Sequence, residues 1–209
     1  MKSLSTLIVS AGIFLLSSCG SGSNKQDSTD TAKAANDSII GSMKDSSAAM
    51  NNNNADTGAH YSSTPLEKAD GNFVVDAADG GMTEVAASQL AQSSATDDRV
   101  KNFANMMVQD HTKAGDQLKK LAAAKSLTLP ATPSNKHQKA IDDLGKKTGK
   151  DFDKAYVKMM LDDHKKVVDM FKKEANDAKD SDLKTWATST LPTLQMHLDS
   201  IKAISDAKH

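Results

Sequence analysis

Apolar positions recur at three- and four-residue steps through four long stretches of this chain, and each stripe carries one polar residue where a core side chain belongs. In residues 100–121 the stripe is Val100, Phe103, Met107, Ala114, Leu118 and Leu121, an amphipathic-helix signature, and His111 falls on it. In residues 152–171 the stripe is Val157, Leu161, Val168 and Phe171, and His164 sits on it. These two stretches echo each other: Phe103, Met106, Met107, Asp110, His111 and Asp116 match Tyr156, Met159, Met160, Asp163, His164 and Asp169 at constant offset. In the last stretch Leu183, Ala187, Thr190, Leu194, Ile201 and Ile204 form a seam that holds His197. In the first, Phe73, Ala77, Gly80, Ala87 and Ala91 form a seam that holds Glu84, although Val74, Ala78, Met82 and Val85 define a competing face.

Capping and breaking residues divide these stretches into helices. Thr64-Pro65-Leu66-Glu67 offers a hydroxyl cap, a proline at the first helical position and a glutamate at the third, so the first long helix is expected from residue 65 to about 94, with Asp70-Gly71 as a later start. Inside it, Gly80-Gly81 costs about 2 kcal/mol of helix propensity, which predicts close approach of another helix or a local kink. Thr96-Asp97-Asp98 caps a second helix that reaches about residue 125. Leu129-Pro130 and Thr132-Pro133 break the chain, Ser134 caps a short helix through Leu144, and Gly145 ends it. Thr148 and Asp151 open the third long helix, and Asp180-Ser181-Asp182 turns the chain into the fourth, which Pro192 should kink. Strand signals are absent. The expected fold is all-α: a four-helix bundle over residues 65–209 with a short extra helix in the connection between the second and third long helices. That connection is long enough for a ferritin-like crossover without requiring one.

The N-terminus changes the picture of where the bundle works. Lys2, an apolar run from Leu7 to Leu16 and then Leu16-Ser17-Ser18-Cys19 form a short signal rather than a membrane span. The pattern resembles the lipobox of bacterial lipoproteins, which implies that residues 1–19 are a signal peptide and that Cys19, the only cysteine, is lipidated and becomes the mature N-terminus. Lipidation would leave no thiol for redox chemistry and would anchor the chain to a membrane in the cell envelope, periplasmic or outer-membrane. Residues 20–64 are small and polar, include the run Asn51 to Asn54, and read as a flexible tether in which Ile39, Ile40 and Met43 form at most a transient turn. Lys+Arg 26 against Asp+Glu 27, with no basic arm, excludes nucleic acid as a natural partner, and 4% aromatic residues offer no stacking platform.

Glu84, His111, His164 and His197 all fall near helix midpoints, so they converge on one layer whichever way the connection runs. Imidazole and carboxylate together suit one divalent ion of Zn, Mn, Fe, Ni or Cu, and bundle cores commonly hold such ions. Asp110 and Asp163 point about 100° away from their neighbouring histidines on the helix, which suits them to hold imidazoles from other helices in one tautomer. The methionines Met106, Met107, Met159, Met160, Met170 and Met196 raise copper as one option, although methionine more often fills core space. The rival reading is a metal-free bundle for envelope interaction or stress, its buried Glu and His residues forming a polar network that fixes packing register.

The order Gly80-Gly81-x-x-Glu84-Val85, Phe103-Ala104-x-Met106-Met107-Val108-x-Asp110-His111, Phe152-Asp153-x-x-Tyr156-Val157, Asp163-His164 and Leu191-Pro192-x-Leu194-x-x-His197-Leu198 resembles a bacterial envelope family. That family is catalogued as a domain of unknown function, labelled "predicted outer membrane protein" and placed in the ferritin-like superfamily. The resemblance covers about residues 68–206 and implies a secreted or lipid-anchored ferritin-like bundle, with no reaction attached. Di-iron members of the wider superfamily supply Glu-x-x-His pairs. Here Val108, Leu161 and Leu194 stand three residues before the histidines, so di-iron chemistry is not expected. No nucleophile motif, phosphate loop or paired carboxylates argue for an enzyme. A metalloenzyme would need an open coordination position beside a substrate-sized cleft.

Overall fold

The computed structural model describes residues 26–47 and 66–207, and within them the chain is all-α. Six helices follow in order: α1 Ser28–Ser47, α2 Lys68–Ser94, α3 Asp98–Ala124, α4 Asn135–Gly145, α5 Gly149–Asp177 and α6 Ser181–Asp206. Cys19, His60 and His209 lie outside the described residues, as do Thr64 and Pro65 of the expected capping box. α2 begins two residues after Leu66, with Glu67 at its cap instead of inside its first turn.

Side-chain oxygens set three of the other starts. Asp97 accepts from the N–H of Arg99 at 2.9 Å, Ser134 from that of His137 at 3.4 Å, and Asp180 from those of Asp182 and Leu183 at 3.1 and 2.9 Å. Each satisfies a donor that the helix itself cannot. α6 runs unbroken through Pro192, which lies on its exposed face.

α2 packs against α3 and α5, and α6 packs against the same two helices. Buried carboxylates tie the two ends of this arrangement. At one end Asp153, near the start of α5, accepts from the backbone N–H groups of Thr96 and Asp97 at 2.9 and 3.0 Å and from the Thr96 hydroxyl at 2.6 Å. At the other, Asp70 near the start of α2 accepts from the N–H groups of Lys179 and Asp180, while Asp180 receives Lys125 Nζ from the end of α3 at 2.5 Å. The start of α5 therefore lies at the end where α3 starts. α3 and α5 run parallel, and the connection through α4 traverses the length of the bundle beside α2.

Asp79 of α2 fastens that connection. Its Oδ1 accepts from the N–H of Ser134 at 2.7 Å, and its Oδ2 stands 2.8 Å from Nδ1 of His137. Burial raises the Asp79 carboxyl, but the His137 ring and the Ser134 hydrogen bonds outweigh it and hold the group below its usual range. The bond to Asp79 raises His137 above its usual value, against a smaller opposing effect of burial. A raised histidine contributes stability that is full below its unfolded pKa and is lost as pH climbs through the folded one; the lowered carboxyl loses its contribution only in acid. The clasp is therefore strongest between about pH 4 and 6.5. Relative to wild type, His137→Gln should lose about 0.5–1 kcal/mol at pH 5.5 and close that gap by pH 8.5, in denaturant titrations at both values.

α1 corrects the expectation of a wholly flexible tether. It packs on α2, and its inward positions are Thr29, Ala32, Asn36 and Ile40, all buried. Asn36 exchanges two hydrogen bonds with the backbone of Thr128, at 3.0 and 2.7 Å, and Ser28 donates to the carbonyl of Thr132. Ile40 seats against Gly71, where a Cβ would come within 2.9 Å of its Cδ1. With α1 and α4 added to α3 and α5, α2 has neighbours nearly all round. That is why both of its competing apolar faces are at least partly buried.

Candidate metal centre

The bundle core divides into two apolar clusters. One gathers Phe73, Leu118, Val168, Phe171, Trp186 and Leu194; the other gathers Phe103, Met107, Phe152, Tyr156, Met160 and Ile201. On each helix the polar intruder falls between them. His111 lies between Met107 and Leu118, His164 between Met160 and Val168, and His197 between Leu194 and Ile201. Helical periodicity therefore directs all of them inward at one level. His164 and His197 are fully buried, Glu84 is 2% exposed and His111 8%.

The three imidazole rings meet. Their centroids are 5.2–5.6 Å apart, and each ring offers one nitrogen such that all three lie within 4.8 Å of one another. The other nitrogen of each ring faces an oxygen. His164 Nδ1 is 3.0 Å from the carbonyl of Met160 and 3.2 Å from Glu84 Oε1. His111 Nδ1 is 3.2 Å from Glu84 Oε2, and His197 Nε2 is 2.9 Å from Asp110 Oδ2. The Met160 carbonyl and the Asp110 carboxylate can only accept, so His164 Nδ1 and His197 Nε2 carry the ring protons. The lone pairs then belong to Nε2 of His164 and Nδ1 of His197, and Nε2 of His111 turns toward them. These three buried atoms find no hydrogen-bond partner among the described residues.

Burial, and then the neighbouring rings of His164 and His197, hold His111 well below its ordinary value. Burial and His197 bring His164 down to about 4, against the opposing bond to Met160, and burial lowers His197 against the pull of Asp110. The rings are therefore neutral at pH 7, the form that ligates a metal. Burial, with the Asp163 charge adding, pushes the Glu84 carboxyl well above the usual carboxylate range.

The sequence-predicted residues thus divide. His111, His164 and His197 form the nitrogen cluster. Glu84 stands behind two of the rings and not in the cluster: its oxygens lie 3.2 Å from Nδ1 of His111 and of His164, and its buried Oε1 makes no hydrogen bond among the described residues. Asp110 reaches across from α3 to His197 on α6, the cross-helix placement expected of it. Asp163 does not do the same: its ion pair is with Lys166 at 3.5 Å on its own helix.

Two features were not foreseen. Tyr156 is fully buried, and its hydroxyl shares a 2.8 Å hydrogen bond with Ser88, one turn beyond Glu84. A cavity of about 470 Å³ also adjoins the cluster, lined on one wall by Glu84, Asp110, His111 and His197. Gly81 borders it, and a Cβ built there or at Gly80 would meet nothing within 4 Å. Those glycines flank open space and no helix packs close on them; the close approach occurs at Gly71.

Fold and site together define an all-α bundle with a buried three-histidine cluster. The chain belongs to the family described as a domain of unknown function, DUF4142, whose model matches residues 55–204. No curated protein matches it. Among solved structures it is similar to a DUF305 fragment from Deinococcus radiodurans, at 13% identity and a TM-score of 0.59 over 67% of this chain and 97% of that one. It is also similar to a DUF305 protein from Streptomyces coelicolor described as a candidate secreted protein, at 16% identity and a TM-score of 0.55 over 65% of this chain and 91% of that one. Identities this low speak to the fold alone. No helix among the described residues is long and apolar enough to cross a membrane.

Proposed function

We propose that this protein is a lipid-anchored envelope bundle that holds one divalent transition metal, of the set Zn, Mn, Fe, Ni and Cu, through His111, His164 and His197. One observation carries the reading: three buried, neutral imidazoles turn unpartnered nitrogens toward one another while oxygens fix their far sides. An unmet buried polar atom costs about 1–3 kcal/mol, so a core that repeats it three times at one point is built for something that fills it. The far-side partners match the carboxylate–histidine–metal pattern that orients ligands. A purely structural network explains the bond from His197 to Asp110 but leaves the three inward nitrogens unmet.

The set of three nitrogens leaves coordination positions open, which suits handling or buffering of an ion more than sealing one away. The bundle-length connection between parallel α3 and α5 supports kinship with the ferritin-like superfamily. The absence of Glu-x-x-His pairs argues for a mononuclear site. The Met160 carbonyl lies 3.0 Å from His164 Nδ1, the nitrogen turned away from the cluster. In competition with a chromogenic zinc chelator, the wild type should take up one equivalent and His111→Ala/His164→Ala none. Equal uptake by both would remove the cluster from the account. Separately, Cys19→Ser should move the protein from the membrane fraction to the soluble envelope fraction; unchanged membrane association would refute lipidation there.

A further inference from the structure

We propose that the cavity beside the histidine cluster binds an elongated apolar small molecule whose single neutral donor atom faces the metal. The head-group part rests on the metal reading above; the apolar body rests on the cavity alone. At about 470 Å³ the cavity falls within the range of small-molecule sites, about 300–1,000 Å³. Its lining runs along α6 from His197 to Trp186, a rise of about 16 Å at 1.5 Å per residue. The end remote from the histidines is walled by Leu118, Phe171 and Trp186, and the connection adds Leu129 and Pro130 to the lining.

Two further observations point to an occupant. Gly81 and Gly115, inside α2 and α3, border the cavity, and a Cβ on either would meet nothing within 4 Å. Glycine weakens a helix, and no close packing accounts for these two. Trp186, which lines the far end, is 9% exposed, and its buried Nε1 finds no acceptor among the described residues. The near end carries the Asp110 carboxylate, which disfavours an anionic head. A tetrahedral ion on three imidazoles keeps a fourth position for a neutral nitrogen or thioether.

Trp186 is the only tryptophan of the chain, so its fluorescence reports occupancy. The Cys19→Ser full-length protein, free of detergent, is titrated with 1-(4-phenylbutyl)imidazole and with hexylbenzene, which lacks a donor, in zinc-loaded and metal-free forms. Expected are saturable changes with both probes, equal in the two forms for hexylbenzene and at least tenfold tighter with zinc for the imidazole. Gly115→Leu and Gly81→Leu, which fill the space from opposite helices, should abolish both changes and keep zinc uptake. Silence with both probes in both forms, or undiminished binding in a folded leucine variant, overturns the proposal. If the imidazole binds equally with and without bound zinc, the head-group part falls and the metal reading stands. If no zinc is taken up, the metal reading and the head-group part fall together, and hexylbenzene still decides the cavity.

Discussion

His197→Leu should leave the metal-free protein at least as stable as the wild type, while removing all stabilisation by zinc. The substitution deletes a buried nitrogen that has no partner, which relieves about 1–3 kcal/mol. The hydrogen bond it gives up is to Asp110, whose side chain is 34% exposed and can turn to water, so that loss is limited to about 1 kcal/mol. Wild-type protein with free zinc at 100–1,000 times its dissociation constant should gain about 2.7–4.1 kcal/mol, and the variant nothing. Urea titrations with chelator and with zinc give all four values. A core histidine kept for packing would behave oppositely: its loss would destabilise by about 2 kcal/mol or more, and zinc would not separate the two proteins.

Asp180→Ala should be the most damaging single change away from the centre, at about 3–5 kcal/mol. Asp180 is fully buried, caps α6 through the N–H groups of Asp182 and Leu183, and accepts Lys125 Nζ from the end of α3. Its own N–H donates to Asp70 of α2. The carboxylate thus joins the ends of α3 and α6, while the backbone N–H ties in α2, and removing the carboxylate takes an anion from beside a buried ammonium group. Lys125 also reaches Asp182 at 2.9 Å, where the acid is 26% exposed, so Asp182→Ala should cost under about 1 kcal/mol. Comparable midpoints for Asp180→Ala and Asp182→Ala would show that burial at this joint does not govern its strength.

The long helices were legible because their apolar stripes and caps agree. Asp97, Ser134 and Asp180 stand at caps, and His111, His164 and His197 occupy stripe positions that the fold turns inward. α1 was not legible, because it docks with few large apolar groups. Its buried positions Thr29, Ala32, Asn36 and Ile40 keep helical spacing, but two are polar and one is alanine. A reading that also scores Asn and Thr as buriable when a backbone partner is near would have found it.

Spacing brought Glu84 to the right level but could not assign its role, since a ligand and a group behind the rings occupy the same helix position and differ only in where the oxygens point. The internal repeat suggested equal duties for Asp110 and Asp163. Their helices have different neighbours: α3 packs on α6, which brings His197 to Asp110, whereas Asp163 on α5 acts through its charge on Glu84 and His137. The cavity escaped notice because Gly80-Gly81 reads the same whether a helix or open space lies beside it.

The most direct test of the three-histidine centre is X-ray absorption at the zinc edge on the zinc-loaded protein, with His197→Leu as control. The account predicts three imidazole nitrogens at about 2.0–2.1 Å and one further light ligand, with this signature lost in the variant. A shell dominated by water or carboxylate oxygen, or the same spectrum from both proteins, would contradict it.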